Sequence, residues 1–356
     1  MTESRTLERE EIEAFGRELE SIRQEVVADL GARDVAHIRS VMHAVRVAEI
    51  AGRMLLQLGV DPVSFAIGTA ALSAAKILEN MEVGHNIMHG QYDWTKDPEL
   101  DGRSYEWDHV CAGEDWRHSH NYEHHTFTNI LGKDRDVGYG IVRIDPSQPW
   151  HIGALAQPLW ALLLALGFQW GIGGYDLRLD EALAGKQSWR KVFGRAGPFL
   201  TKAAWQLARD YLFYPALAGP NAARVFAGNL AANGVRNVWT FVVIFCGHFP
   251  EGVRVYREDE VATETRADWY LRQLNGSANL EGSRLFHVFT GHLSHQIEHH
   301  LFPDLPASRY PEMAPRVRAL CAGYGQRYNS GSLLRQFGSV VGRILRHALP
   351  SSPRPA

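Results

Sequence analysis

Residues 120–125 read HNYEHH and residues 295–300 read HQIEHH. Both are HxxxHH elements, and a merely solvated polar face has no reason to produce the same spacing twice. On a helix, a spacing of four puts His120 and His124, and likewise His295 and His299, on one face a turn apart. His125 is turned by about 100° from His124 at 3.6 residues per turn. One short stretch can therefore feed two metal ions, its adjacent histidines pointing at different centres.

Working outward, HNIMH at residues 85–89 repeats the chelating spacing with His85 and His89. His248 ends the apolar run FVVIFCGHF, whose helix would carry it to the same layer as the others. The chain has 17 histidines, and eleven of them fall between His85 and His125 or between His292 and His300. The candidate ligands are His85, His89, His120, His124, His125, His248, His295, His299 and His300. Imidazole suits zinc, copper, iron and nickel, and no cysteine stands in any cluster, which argues against a thiolate-rich structural zinc site. So many histidines exceed one ion and fit two ions with open positions. For His109 and His118, hydrogen-bonding or surface roles are preferred.

The rest of the sequence supplies a helical, membrane-seeking frame. Met54–Ala75 contains one charged residue, Asp61; 146–175 contains none; Tyr211–Pro250 contains only Arg224 and Arg236. A bilayer core takes about 20 apolar residues in a helix, so three regions can span or enter a membrane, although the mean hydropathy is only -0.23. The first 53 residues lack a signal peptide pattern. Ile12, Phe15, Leu19 and Ile22 recur at helical spacing there and predict an amphipathic helix. The expected division is an N-terminal helical segment over 1–50, a catalytic domain over 51–330, and a polar tail over 331–356 ending in a frayed SSPRPA. A net charge of -3 excludes a strongly basic nucleic-acid binder. Three scattered cysteines fit a reducing compartment rather than a disulfide framework.

With its surroundings KILENMEVGHNIMHGQYDW, HHTFTNILG and QIEHHLFPDLPASRY, this pattern resembles the membrane-bound fatty acid desaturases over roughly residues 50–330. The resemblance implies an all-α membrane protein of about four transmembrane helices. Interfacial helices and a cytosolic cap would accompany them and carry the three histidine boxes. It implies two non-haem irons held by the boxes and by a histidine after the last membrane helix, the place of His248. The implied reaction is O2-dependent desaturation of a long-chain fatty acyl chain, most simply of a saturated acyl-CoA that gains a mid-chain cis double bond. A hydroxylase on the same irons and a non-catalytic membrane metal binder are the alternatives.

No His-Pro-Gly-Gly element and no dinucleotide fingerprint is present. Electrons are therefore expected from a separate ferredoxin, cytochrome b5 or flavin reductase chain, with no directly bound NADPH. The resemblance also implies a protein integral to the plasma membrane with its site facing the cytoplasm.

In the third box Gln296 stands where some relatives have histidine, and His295 is favoured as the ligand because it lies about one turn from His299. His292 is open as ligand or hydrogen-bonding neighbour. Glu82, Glu123, Glu298, Asp134 and Asp136 are candidates for orienting the imidazoles. Trp107, Trp116, Phe127 and Trp269 are candidates for an apolar tunnel; Arg117, Lys133, Arg135 and Arg143 are candidates for a cationic mouth. Because the boxes must share one side of the membrane, an even number of crossings separates His125 from His292. One of 150–174, 198–221 and 225–247 must then re-enter or lie in the interface; Lys202, Arg209 and Asp210 make 198–221 the weakest span.

Overall fold

The computed structural model describes residues 4–350, and the SSPRPA tail lies outside them. Helices dominate. Helix α1 (Arg9–Ala28) buries Phe15, Leu19, Ile22 and Val26 on one face, against Tyr270, Leu274, Tyr310 and Val317 of the cap. Helices α2 (Ala32–Leu58) and α3 (Pro62–Leu78) form a hairpin. Its turn is set by Asp61, whose Oδ1 accepts from the Val63 and Ser64 amides while Pro62 opens the helix. Gly52 and Gly68 let the two helices close: a Cβ on Gly52 would lie 2.8 Å from the Leu72 amide nitrogen. Helix α2 runs through residue 50, so the expected boundary there falls inside an element.

Beyond α3 the helix widens into a π-helix, Glu79–Gly84, and continues as His85–Met88. Helices α4 (Gln157–Leu166) and α5 (Phe168–Tyr175) meet at Gly167, and the segments 152–166 and 168–183 are bent by 101°. The uncharged run is thus not one straight rod.

Helix α6 (Trp189–Ala208) passes through a π-turn, Arg209–Phe213, and leads to α7 (Ala222–His248). The two hairpins join at their tips. Asn221 donates to the Gln57 and Gly59 carbonyls, and Arg224 donates to the Asp61 carbonyl. Midway along, buried Asp210 accepts from Lys76 at 2.9 Å, from Asn233 at 3.1 Å and from Arg209 at 3.1 Å, while Lys202 pairs with Glu106, so each charge that made 198–221 look weak has a partner.

The cap is completed by α8 (Arg266–Asn275), β1 (Asn279–Glu281), α9 (Tyr310–Gly323), β2 (Ser330–Ser332) and α10 (Leu333–Ala348). β1 and β2 pair in parallel, Asn279 opposite Ser330. Residues 333–348 are therefore not part of a polar tail. Their helix is amphipathic, and Val340 and Ile344 join α4 and α7 in the main core.

The bundle's outer face is apolar: Ile50 and Met54 on α2, Leu162 and Leu163 on α4, Leu200 and Trp205 on α6, and Leu230 and Val235 on α7 are all exposed. An apolar surface of that extent marks a membrane or partner surface. By length and apolarity one helix among the described residues, Gly219–His248, is long enough to cross a membrane, and the bent pair is a second candidate.

Candidate metal centre

The histidines stand at the cap end of the hairpins, opposite the joined tips. The π-helix Glu79–Gly84 re-aims the end of α3 so that His85 and His89 enter the interior. A second π-helix, Arg117–His124, carries His120 and His124; such widened turns are common at functional sites. The third element is a 3₁₀ turn, Leu293–His295, followed by the helix Gln296–Leu301. Asn279 of β1 seats that helix, accepting from the Ile297 amide and donating to Glu298.

These pieces meet as two adjoining groups. His85, His89, His120 and His299 form one, and His124, His248 and His300 the other, with donor atoms in each group within 4.8 Å of one another. His125 lies between them, its ring stacked 4.5 Å from His300 and 4.8 Å from both His89 and His299. His299 and His300 divide between the groups, as doubled histidines can. His120 and His124 do share a face, with rings stacked at 5.1 Å, yet they too fall into different groups because the backbone there is π-helical.

The donor atoms fit transition-metal ions. The Nε2 atoms of His85, His89, His120, His124, His125, His299 and His300 are buried without a hydrogen-bond partner, as is Nδ1 of His248. On four of the seven rings with a free Nε2 the other nitrogen is held. His85 Nδ1 meets Asn86 at 3.1 Å, His124 Nδ1 meets Asp134 at 3.1 Å, His299 Nδ1 meets the Tyr310 hydroxyl at 3.4 Å, and His300 Nδ1 meets Gln273 at 2.9 Å. That is the pattern that fixes the tautomer and aims Nε2 at an ion. Burial keeps His85 neutral, pushing it down to about 4. It drives His89, His120, His125, His299 and His300 well below the usual histidine value. Neutral imidazole is the ligating form. At His124 burial opposes the charge, but the Asp134 carboxylate overrides it and raises the value.

His295 differs from expectation. The chain turns at that residue, so its ring packs 4.5 Å from His287, away from both groups. Gln296 comes instead, its Nε2 at 3.0 Å from His248 Nε2. His292 contacts Glu82, and His109 stacks on Trp107.

Of the acids, Asp134 holds His124, and Asp136 stands 3.7 Å from His120 and is raised to about 7 by burial. Glu123 pairs with Arg178, and Glu298 accepts from Asn279 and Tyr328. Gln273, Tyr310 and Asn86 carry no spacing signal that could have found them.

A narrow cavity of about 60 Å³ runs beside the first group between Trp107, Trp116, Phe168, Ile172 and Ile244, reaching His85 and His120. Trp269 is elsewhere, on an open depression over His125. The expected cationic mouth is not free: Arg117 and Arg143 donate to backbone carbonyls, Lys133 pairs with Glu258, and Arg135 pairs with Asp180 and Glu181. Exposed Lys186, Arg190 and Lys191, at the start of α6, carry no side-chain partner among the described residues.

A predominantly helical scaffold that converges eight imidazoles from four separate stretches beside a narrow apolar cavity defines a class: helical proteins whose polyhistidine site has the donor set for transition-metal ions. Within it, this chain belongs to the fatty acid desaturase family, which residues 62–332 match, and it is an oxidoreductase of that kind. It is 40% identical over 344 residues to the NADPH-dependent stearoyl-CoA 9-desaturase of Mycobacterium tuberculosis, covering 96% of this chain and 81% of that protein. It is 28% identical over 284 residues to the sn-1 linoleoyl-lipid 6-desaturase of Synechocystis sp., covering 75% of this chain and 76% of that one. Human fatty acid desaturase 3 is 27% identical over 234 residues, 64% of this chain and 48% of that protein.

Proposed function

We propose that this protein introduces a mid-chain cis double bond into a saturated long-chain fatty acyl-CoA at a di-iron centre held by His85, His89, His120, His124, His125, His248, His299 and His300. The observation that carries the reading is the set of buried, unpartnered imidazole nitrogens facing one another in two adjoining groups. The 40% identical relative, named for stearoyl-CoA, supports the thioester. Iron bound there would supply the O2 activation that an unactivated methylene C–H bond demands.

The residues of the chain do the rest. Asn86, Asp134, Tyr310 and Gln273 hold the rings in orientation, and burial keeps His85, His89, His120, His125, His299 and His300 uncharged. Trp107, Trp116, Phe168 and Ile244 exclude water and confine a linear chain against the His85 and His120 side. The reaction consumes two electrons from outside, which a separate redox protein delivers.

The helices α2, α3, α6 and α7 are the four crossings, with the bent α4–α5 pair returning to its starting side. The joined tips at 59–61 and 218–221 support this, since they put all the histidines at the opposite end and satisfy the even count between His125 and His292. The protein is then integral to the plasma membrane with its site facing the cytoplasm, consistent with the Lys186, Arg190, Lys191 and Arg195 cluster at that end of α6.

The test is metal and product analysis on the purified, detergent-solubilised chain. About two irons per chain are expected, together with a product two mass units lighter than the acyl substrate and a double bond located mid-chain. Product sixteen units heavier would make it a hydroxylase. Stoichiometric zinc without iron would remove the oxidative reading.

A further inference from the structure

Three donors outside the two imidazole groups also come together: His37 of α2, Glu82 of the first π-helix, and His292 of the loop before the third histidine element. None of their rings contacts the eight histidines already described, and His37 and His292 face each other at 5.7 Å. We propose that His37, Glu82 and His292 form a separate site for a zinc-type divalent ion that fastens α2 to the loop carrying the third histidine element.

Glu82 is fully buried, and its two oxygens are met by His37 Nε2 at 2.6 Å and His292 Nδ1 at 2.8 Å. One turn earlier on α2 the fold shows how it treats an ordinary buried carboxylate. Asp34 receives both arms of the Arg309 guanidinium, the usual planar, bidentate solution. At Glu82 no guanidinium or backbone amide is used, only two imidazoles. Two imidazoles and one carboxylate are a recurring protein donor set for zinc, with a fourth position left for solvent. The same set excludes calcium and magnesium, which take oxygen donors.

The backbone presents His292 at a cost. Gly291 and His292 are both left-handed, at φ +63° and +55°, and a Cβ on Gly291 would lie 2.2 Å from the Met81 carbonyl. A non-glycine residue in that region persists only where its surroundings over-determine it, and here the conformation delivers the ring to Glu82.

Without an ion the imidazoles donate to the carboxylate. With one, their tautomers turn and the donors part to the edge of about 3.3 Å that metal–ligand bonds of about 2.0–2.2 Å imply. His37, with its side chain 26% exposed, has the freedom to move that far and gives the ion a route in.

The experiment measures metal content in the full-length protein and in His37→Gln and Glu82→Gln, followed by Co2+ titration after mild chelation. Both variants are expected to hold one equivalent less per chain than the parent and to lose the visible absorption of a four-coordinate Co2+ site. Iron at the eight-histidine centre should be unchanged. His37 sits at the surface, so His37→Gln keeps the fold, which a melting curve verifies. If His37→Gln holds as much metal as the parent and shows the same Co2+ bands, the proposal is overturned. The comparison stands apart from the di-iron reading: failure of that reading lowers iron in parent and variants alike and leaves the difference between them to decide.

Discussion

Gln273 shows what a single residue contributes at this centre. It donates to the His125 carbonyl and accepts from His300 Nδ1, so one amide fixes a backbone and a ring. Replacing it by leucine leaves the His300 ring only the longer contact to the Thr128 hydroxyl at 3.3 Å, and outer hydrogen bonds of this kind are worth about 10–100-fold in metal affinity. Gln273→Leu should therefore lose iron to a competing chelator at correspondingly lower chelator concentration; unchanged retention would mean the amide has no such role. His295 and His299 give the complementary contrast. His299→Asn should remove iron and turnover, whereas His295→Asn should keep the full iron complement, because its ring packs on His287. Loss of iron from His295→Asn would return that residue to the ligand set.

Among the elements, the α2–α3 hairpin rests on a close crossing at Gly52 and Gly68. Small residues at such a crossing let helix backbones touch, and added methylenes in a filled space cost about 1–3 kcal/mol. Gly52→Leu is expected to lower the melting temperature and to reduce iron retention as well, since α3 leads directly into His85; a variant as stable as the parent would show that the helices can separate without penalty. At the start of α6, exposed Lys186, Arg190 and Lys191 are suited to the phosphates of coenzyme A. The double substitution Arg190→Glu with Lys191→Glu should raise KM for an acyl-CoA several-fold while leaving kcat near the parental value. If KM does not move, the head group binds elsewhere or the substrate is an acyl lipid, as the name of the Synechocystis relative indicates for that protein.

For the molecule as a whole, the proposed metal centre would also be its keystone. Its histidines come from the end of α3, the Arg117–His124 π-helix, the end of α7 and the segment after β1, so ions held there would join the two hairpins to the cap. An ion that binds only the folded state at 100 times its Kd adds about 2.7 kcal/mol. Stripping metal should therefore lower the melting temperature and restoring Fe2+ under argon should recover it. Equal melting curves with and without metal would show that the imidazoles pack equally well alone.

Much of this molecule is legible in its sequence because the signals are local. Helical spacing in α1, the uncharged runs and the three histidine elements each follow from neighbours on one helix face, and they suffice to name imidazole–metal chemistry and the family. What tertiary structure decided is which way each ring points and what it meets. The π-turns at 79–84 and 117–124, the turn that sends His295 away and brings Gln296 to His248, and the bend at Gly167 depend on packing between distant segments. So do the acceptors Gln273 and Tyr310, which meet His300 across 27 positions of the chain and His299 across 11 and have no spacing to reveal them. Periodicity encodes a side chain's direction only while the helix stays regular; where long-range contacts deform it, direction is settled by the whole fold.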